Sequence, residues 1–169
     1  IPREDLVVHK ELPSEAETCI SDCDLLFCLD FNAFHRTDRL EESLKSSKAD
    51  KVLIDHHLNP ASGSFDLVFS ETDISSASEL LFHILMETGA ISHDATLLPC
   101  ASTTALMAGM TTDTNNFANS TYPSTFMMAS SLLAAGVDRD SILTHLYNEY
   151  RENRLGHSPK PVLSVYLLR

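Results

Sequence analysis

Three apolar runs in this chain each stop at an aspartate, and that pattern limits the folds open to it. Asp24-Leu25-Leu26-Phe27-Cys28-Leu29 ends on Asp30, and Lys51-Val52-Leu53-Ile54 ends on Asp55-His56-His57. The mostly apolar stretch from Ala101 to Met110 runs through Gly109 into Thr111-Thr112-Asp113-Thr114-Asn115-Asn116-Phe117. Short aliphatic runs that end abruptly at polar residues read as buried parallel strands. In open α/β sheets, chemistry gathers at the carboxyl ends of such strands.

The segments between these runs support the same class. A helix is expected from Arg36 to Ser47, a short strand from Phe65 to Phe69, and a helix after Asp73, where Ser76 and Glu79 have capping-box spacing. His93 and Asp94 are expected to open the next helix, which runs toward Thr112. Pro123 suits the first turn of another, with Phe126, Met127, Met128, Leu132 and Leu133 following and Gly136 ending it. The methionines read as adaptable core filling. Asp138 caps a last helix reaching about Arg154. Strand–helix alternation implies an α/β fold, a mainly parallel sheet flanked by helices. The expected organisation is a single catalytic-type domain over residues 1–155 and an irregular tail over 156–169, where Gly156, Pro159 and Pro161 end the helix.

The Asp55-His56-His57 triplet offers one carboxylate and two imidazoles. In extended backbone, neighbouring side chains point to opposite sides, so the two histidines share a task only if the strand has already ended. Two solvated loop histidines, with Asp55 capping a turn, would look the same in isolation. Asp30 and Asp113 shift the balance, because carboxylates with one or two imidazoles suit manganese or magnesium better than a structural zinc. A bridging carboxylate can also hold a pair of ions roughly 3.5–4 Å apart, the recurring device for phosphoester hydrolysis.

In these motifs the chain resembles the DHH phosphoesterases, of the oligoribonuclease and 3′-phosphoadenosine-5′-phosphate phosphatase type and related to exopolyphosphatases. The resemblance rests on Leu29-Asp30-Phe31-Asn32, Ile54-Asp55-His56-His57 and Gly109 through Phe117, in that order, over roughly residues 20–150. It implies hydrolysis with two Mn2+ ions, Mg2+ being an alternative. Asp30 is similar to the carboxylate bridging the ions, and His56 and Asp113 to ligands of the second ion. His57 is similar to the histidine that meets the substrate phosphate, with Asp55 orienting an imidazole from behind. Asn32 and Arg36, from the same loop as Asp30, are expected to face the substrate.

The resemblance also implies a first motif, a histidine and two aspartates upstream of Asp24. That segment holds His9 and scattered acids, Glu4, Asp5, Glu11, Glu15, Glu17 and Asp22. With no room for the family's smaller substrate domain, we read the chain as the middle piece of a longer enzyme or a truncated product. The implied substrates are short oligoribonucleotides or phosphorylated nucleotides, or cyclic dinucleotides within the same family. A pyrophosphatase fits less well the contexts of Asp30 and Asp113. The rival reading is a non-catalytic piece binding one ion or phosphate.

Charge and composition narrow the partners. With 24 acidic against 12 basic side chains, the chain is poorly suited to tracking long nucleic acid, although a metal pocket can still hold one or two phosphates. No stretch approaches the roughly 20 apolar residues of a membrane span. Cys19, Cys23, Cys28 and Cys100 lack paired spacing and read as free thiols, and a cytoplasmic protein, as monomer or homodimer, is expected. His83 falls on a helical face and reads as packed or partly exposed rather than as a ligand. The loop Asn59-Pro60-Ala61-Ser62-Gly63-Ser64 follows the triplet and is placed to rim the pocket.

Overall fold

Three strands form a parallel sheet in the order β1 (Leu25–Leu29), β2 (Asp50–Asp55), β3 (Leu67–Ser70). They are seen in a computed structural model that describes residues 7–153, and side chains as far as Leu146. The helices are α1 (Pro13–Asp22), α2 (Glu41–Ser46), α3 (Ala77–Met86), α4 (Cys100–Asp113), α5 (Pro123–Ala134) and α6 (Arg139–Asn153), of which α1, α2 and α3 pack on the sheet. This is the α/β architecture expected from the alternation of strand and helix signals. The tail over 156–169 lies outside the described residues.

Period-two alternation sorts the strand side chains onto two faces. Leu26, Cys28 and Leu53 join Ile20, Phe31, Phe34, Leu40, Leu44 and Phe65 in one core under α1 and α2. Val52 and Ile54 point the other way, onto Leu80 of α3, with Phe27 and Leu29 packed against them. A third cluster joins the helices among themselves, built on Phe82, Met86, Leu106, Met107, Met110, Met128 and Leu132. α3 therefore contributes to both the sheet and the helical core.

Several boundaries differ from the sequence reading, each for a local reason. The N-terminal segment, expected to have no clear order, contains α1, whose Pro13 sits in the first turn and whose Ala16 and Ile20 are buried one turn apart. The helix expected from Arg36 is a 3-10 turn over Phe34–Leu40 followed by the short α2. Asp38 breaks it with φ 53° and ψ −115°. Phe34, Thr37 and Leu40 are buried at a spacing of three, which is the period of a 3-10 helix.

The third strand begins at Leu67 instead of Phe65. Phe65 turns into the core against Phe34, ring centroids 4.9 Å apart, while the Asp66 carboxylate accepts the Lys51 N–H at 2.8 Å. Asp94 does not open a long helix. It caps a 3-10 turn over Ala95–Leu97, and α4 starts only after Pro99, whose ring keeps Leu98 extended. Met128 is fully buried but Met127 is 68% exposed, because adjacent residues cannot share one helix face. All four cysteines are free, and Cys28 is buried in β1. Among the described residues no helix is long and apolar enough to cross a membrane.

Leu53 lies at the centre of the sheet and is fully buried. Leu53→Ala removes most of that side chain and is expected to cost about 3 kcal/mol of unfolding free energy, read from a urea transition with an unchanged slope.

Candidate metal centre

The parallel register brings the ends of β1 and β2 side by side. Leu29 pairs with Ile54, and the ladder runs one step further, the Asp30 N–H donating to the Ile54 carbonyl at 3.1 Å. Asp30 then turns the chain with φ 64°, a left-handed conformation that aspartate tolerates better than most residues. Its carboxylate is thereby released from the sheet beside the start of the Asp55-His56-His57 turn. Asp113 arrives from elsewhere, at the last turn of α4. That helix passes so close to α3 that a Cβ on Gly109 would lie 3.1 Å from Cβ of Ser78.

β2 ends at Asp55, so the two histidines are not held on opposite faces of a strand. Their rings meet edge to face with centroids 4.7 Å apart. Nε2 of His56 lies 3.4 Å from Oδ1 of Asp30 and 3.7 Å from Oδ2 of Asp113. Nδ1 of His57 lies 2.7 Å from Oδ1 of Asp55 and 4.0 Å from Oδ1 of Asp30. Asp30, His56 and His57 each offer a ligand atom within 4.8 Å of the others, and Asp113 stands beside this group on the His56 side.

Asp55 has a different position from the other carboxylates. It is completely buried, and its second oxygen accepts the His57 backbone N–H at 3.0 Å. Both oxygens are thus committed to His57. A carboxylate only accepts, so the His57 proton is assigned to Nδ1, leaving Nε2 as the ring atom free for other work.

Asn32 and Arg36 make contacts outside the group of converging donors. The Asn32 side-chain amide donates to the Leu58 carbonyl at 2.8 Å, and the Asn32 backbone carbonyl accepts the Ala61 N–H at 2.8 Å. Asn32 therefore holds the loop that follows the triplet. The exposed Arg36 guanidinium touches Asn32 Oδ1 at 3.5 Å.

A turn after Asp113 went unread in the sequence. Asn115, Asn116 and Phe117 are all left-handed, with φ of 46°, 59° and 66°. For phenylalanine that backbone costs roughly 1–2 kcal/mol. The Phe117 N–H reaches Oγ1 of Thr114 at 2.9 Å, Arg139 hydrogen-bonds Asn116, and its guanidinium lies 5.5 Å over the Phe117 ring. The signal present was the Asn-Asn pair, since asparagine is the side chain that most often accepts this conformation after glycine.

The carboxylates crowd one another. Burial, followed by the charge of Asp30, pushes the Asp113 carboxyl up to about 6 against the opposing pull of His56 and His57. His56 is also raised, first by its hydrogen bond with Asp30, against burial, and further by the charges of Asp113, Asp30 and Asp55. The site holds protons where a cation would serve the same electrostatic purpose. Hard carboxylate oxygens with imidazole nitrogen fit manganese or magnesium.

A profile of the DHH family, N-terminal domain, matches residues 4–137. The chain belongs to the DHH family. Its fold is similar to a crystal structure of an exopolyphosphatase-related protein from Bacteroides fragilis, with a TM-score of 0.78 and 33% identity. That likeness covers 90% of this chain and 44% of the other, so this DHH chain spans less than half the length of its structural relative. No curated protein matches the sequence.

Because Asp113 and His56 both bind protons more readily than free side chains do, protons compete with a cation at this site. Deprotonation above about 6 frees Asp113, so Mn2+ affinity is expected to rise with pH through that value. Calorimetry at two pH values, in buffers of different ionisation enthalpy, should show tighter binding and fewer released protons at the higher pH.

Proposed function

We propose that this DHH chain carries the metal- and phosphate-binding part of a manganese-dependent phosphoric ester hydrolase, whose substrates are short oligoribonucleotides or 3′-phosphoadenosine-5′-phosphate. The observation that carries this reading is the convergence of Asp30, His56 and His57 from two strand ends, with Asp113 3.7 Å from His56. Family membership supports the hydrolytic class, and the donor set supports a hard divalent ion. Asp30, His56 and Asp113 would hold it, with Asp30 as the bridging carboxylate of a two-ion site in the longer enzyme. When bound, such ions polarise the phosphoryl oxygen and lower the pKa of water.

The chain's own residues divide the remaining tasks. Asp55 holds the ring of His57 through Nδ1 and favours the tautomer with the proton there, which leaves Nε2 free of Asp55. With Nε2 bare, His57 can accept a proton; once Nε2 is protonated as well, the imidazolium can bind a phosphate oxygen or give a proton to the leaving oxygen. Asn32 holds the loop from Leu58 to Ala61 in place, and Arg36 beside it would face the substrate. The net charge of −12 favours short substrates over long strands, since only a local cationic site offsets it. Cyclic dinucleotides are the alternative substrates within the family. A cytoplasmic, monomeric or homodimeric protein fits this role.

The rival reading, a module that binds one ion or phosphate without hydrolysis, draws on a specific observation. Among the described residues a single group of donors converges, enough for one ion. Assaying Mn2+-dependent release of nucleotides from a short RNA separates the two. The hydrolytic reading expects turnover that His57→Ala lowers by roughly 100- to 10,000-fold. Asp55→Asn should lower metal affinity or activity by roughly 10- to 100-fold while leaving the fold intact by circular dichroism. Turnover that survives Asp30→Ala and His56→Ala together in the longer enzyme would sink the two-ion mechanism.

A further inference from the structure

Glu79 is completely buried on α3, yet it belongs to no part of the metal centre. One of its oxygens, Oε2, gathers the Ser75 N–H at 3.2 Å, the Ser75 hydroxyl, and the Thr125 hydroxyl at 2.8 Å. Oε1 has no hydrogen-bond partner, and Nε2 of His83 lies 3.6 Å from it. The capping-box spacing is used only halfway. Ser76 accepts the Glu79 N–H at 3.0 Å, but the carboxylate turns to Ser75 and onward to another helix. Burial opposes its ionisation, yet hydrogen bonds, those from Ser75 and Thr125 among them, outweigh that and lower its pKa.

The helix it reaches is α5. Thr125 lies in the first turn, and its hydroxyl oxygen also accepts the Tyr122 N–H at 3.0 Å. Among the described residues, the segment up to Leu98 and the segment from Pro99 onward meet through hydrogen bonds or ion pairs at only two places. One joins Glu79 to the first turn of α5, and the other joins His56 to Asp113. The contact across this division includes the apolar cluster built on Phe82, Met86, Leu106, Met107 and Met128, and apolar packing is non-directional. On one side, β3 leaves the sheet beside Asp55, Glu71 N–H bonding the Asp55 carbonyl at 3.2 Å, and leads to Ser75. On the other, a short segment from Ala118 to Tyr122 links the left-handed turn after Asp113 to α5.

We propose that Glu79 is a positioning residue, which sets the register of α5 against α3 and through the turn at Asn115–Phe117 holds Asp113 at the metal centre. The metal arm of this inference rests on the function proposed above; the positional arm does not. Asp113 sits at a helix end followed by backbone that is unfavourable on its own, so its place depends on what anchors the far side of the turn. The Glu79–Thr125 bond is one such anchor, beside Arg139, which hydrogen-bonds Asn116 and lies over the Phe117 ring.

The test uses the full chain, its Thr125→Val and Thr125→Ser variants, and Glu79→Gln. Amide hydrogen exchange is followed without metal, and Mn2+ binding by electron paramagnetic resonance. Thr125→Val should speed exchange at Asn115, Asn116 and Phe117 by at least about tenfold, the effect of losing one hydrogen bond to a charged acceptor, with β1 and β2 amides unchanged. It should weaken Mn2+ binding by roughly tenfold or more, and Thr125→Ser should restore both. Should Thr125→Val not fold, Glu79→Gln is expected to give the same local pattern. Uniform acceleration at all amides, or an unchanged turn, overturns the proposal and leaves Glu79 a stability element. Absence of Mn2+ binding in the unsubstituted chain counts against the metal reading alone, since the exchange pattern still decides the positional one.

Discussion

The parallel pairing of β1 with β2 is the constraint on which the site depends. Hydrogen bonds between neighbouring strands hold backbones about 4.8 Å apart, and the Asp30 N–H extends that ladder to the Ile54 carbonyl. Asp30 and the Asp55-His56-His57 turn are 25 residues apart in the chain, and no local interaction would bring them together. Had the register slipped by one residue, Val52 and Ile54 would have left α3 and the carboxylate of Asp55 would have left its buried place beside His57. The packing of the sheet and the geometry of the donors are therefore set by the same pairing.

Acids serve two opposite ends in this molecule. Burial, and then the nearby charge of Asp30, raise the Asp113 carboxyl to about 6, an arrangement that favours capture of a cation. Asp55 and Glu79 are buried more completely, and both are surrounded by donors. Their work is to hold something else, a histidine ring in one case and a helix in the other. Burying a carboxylate is costly unless it is hydrogen-bonded, and a carboxylate that is so bonded orients its partners strongly.

Much of this was legible before any coordinates. Residues 25–29 and 51–55 read as strands because their apolar runs are short, β-rich and sharply ended. Ser76 was recognisable as a helix start, and the free state of Cys28 followed from its place in a buried run. What went unread depended on distant partners. Phe65 leaves the strand because Phe34 awaits it, and Met127 is exposed where Met128 is not because α5 presents one face to Met107 and Met110. The helix near Arg36 broke at Asp38, a residue whose left-handed backbone has no mark in the sequence beyond its being aspartate.

The sequence by itself determined the chemical inventory: carboxylates and imidazoles at the ends of apolar runs, in the order of the DHH motifs, with strong acidic balance. Those properties are local, written in residue type and spacing. Tertiary structure alone decided which donors converge. It committed both oxygens of Asp55 to His57, set Asn32 to hold a loop, and placed Asp113 against His56 from a different part of the fold. It also turned Glu79 from a capping residue into a bridge between helices. Distances of a few ångströms between remote residues arise from strand register and helix packing, and neither is encoded at any single position.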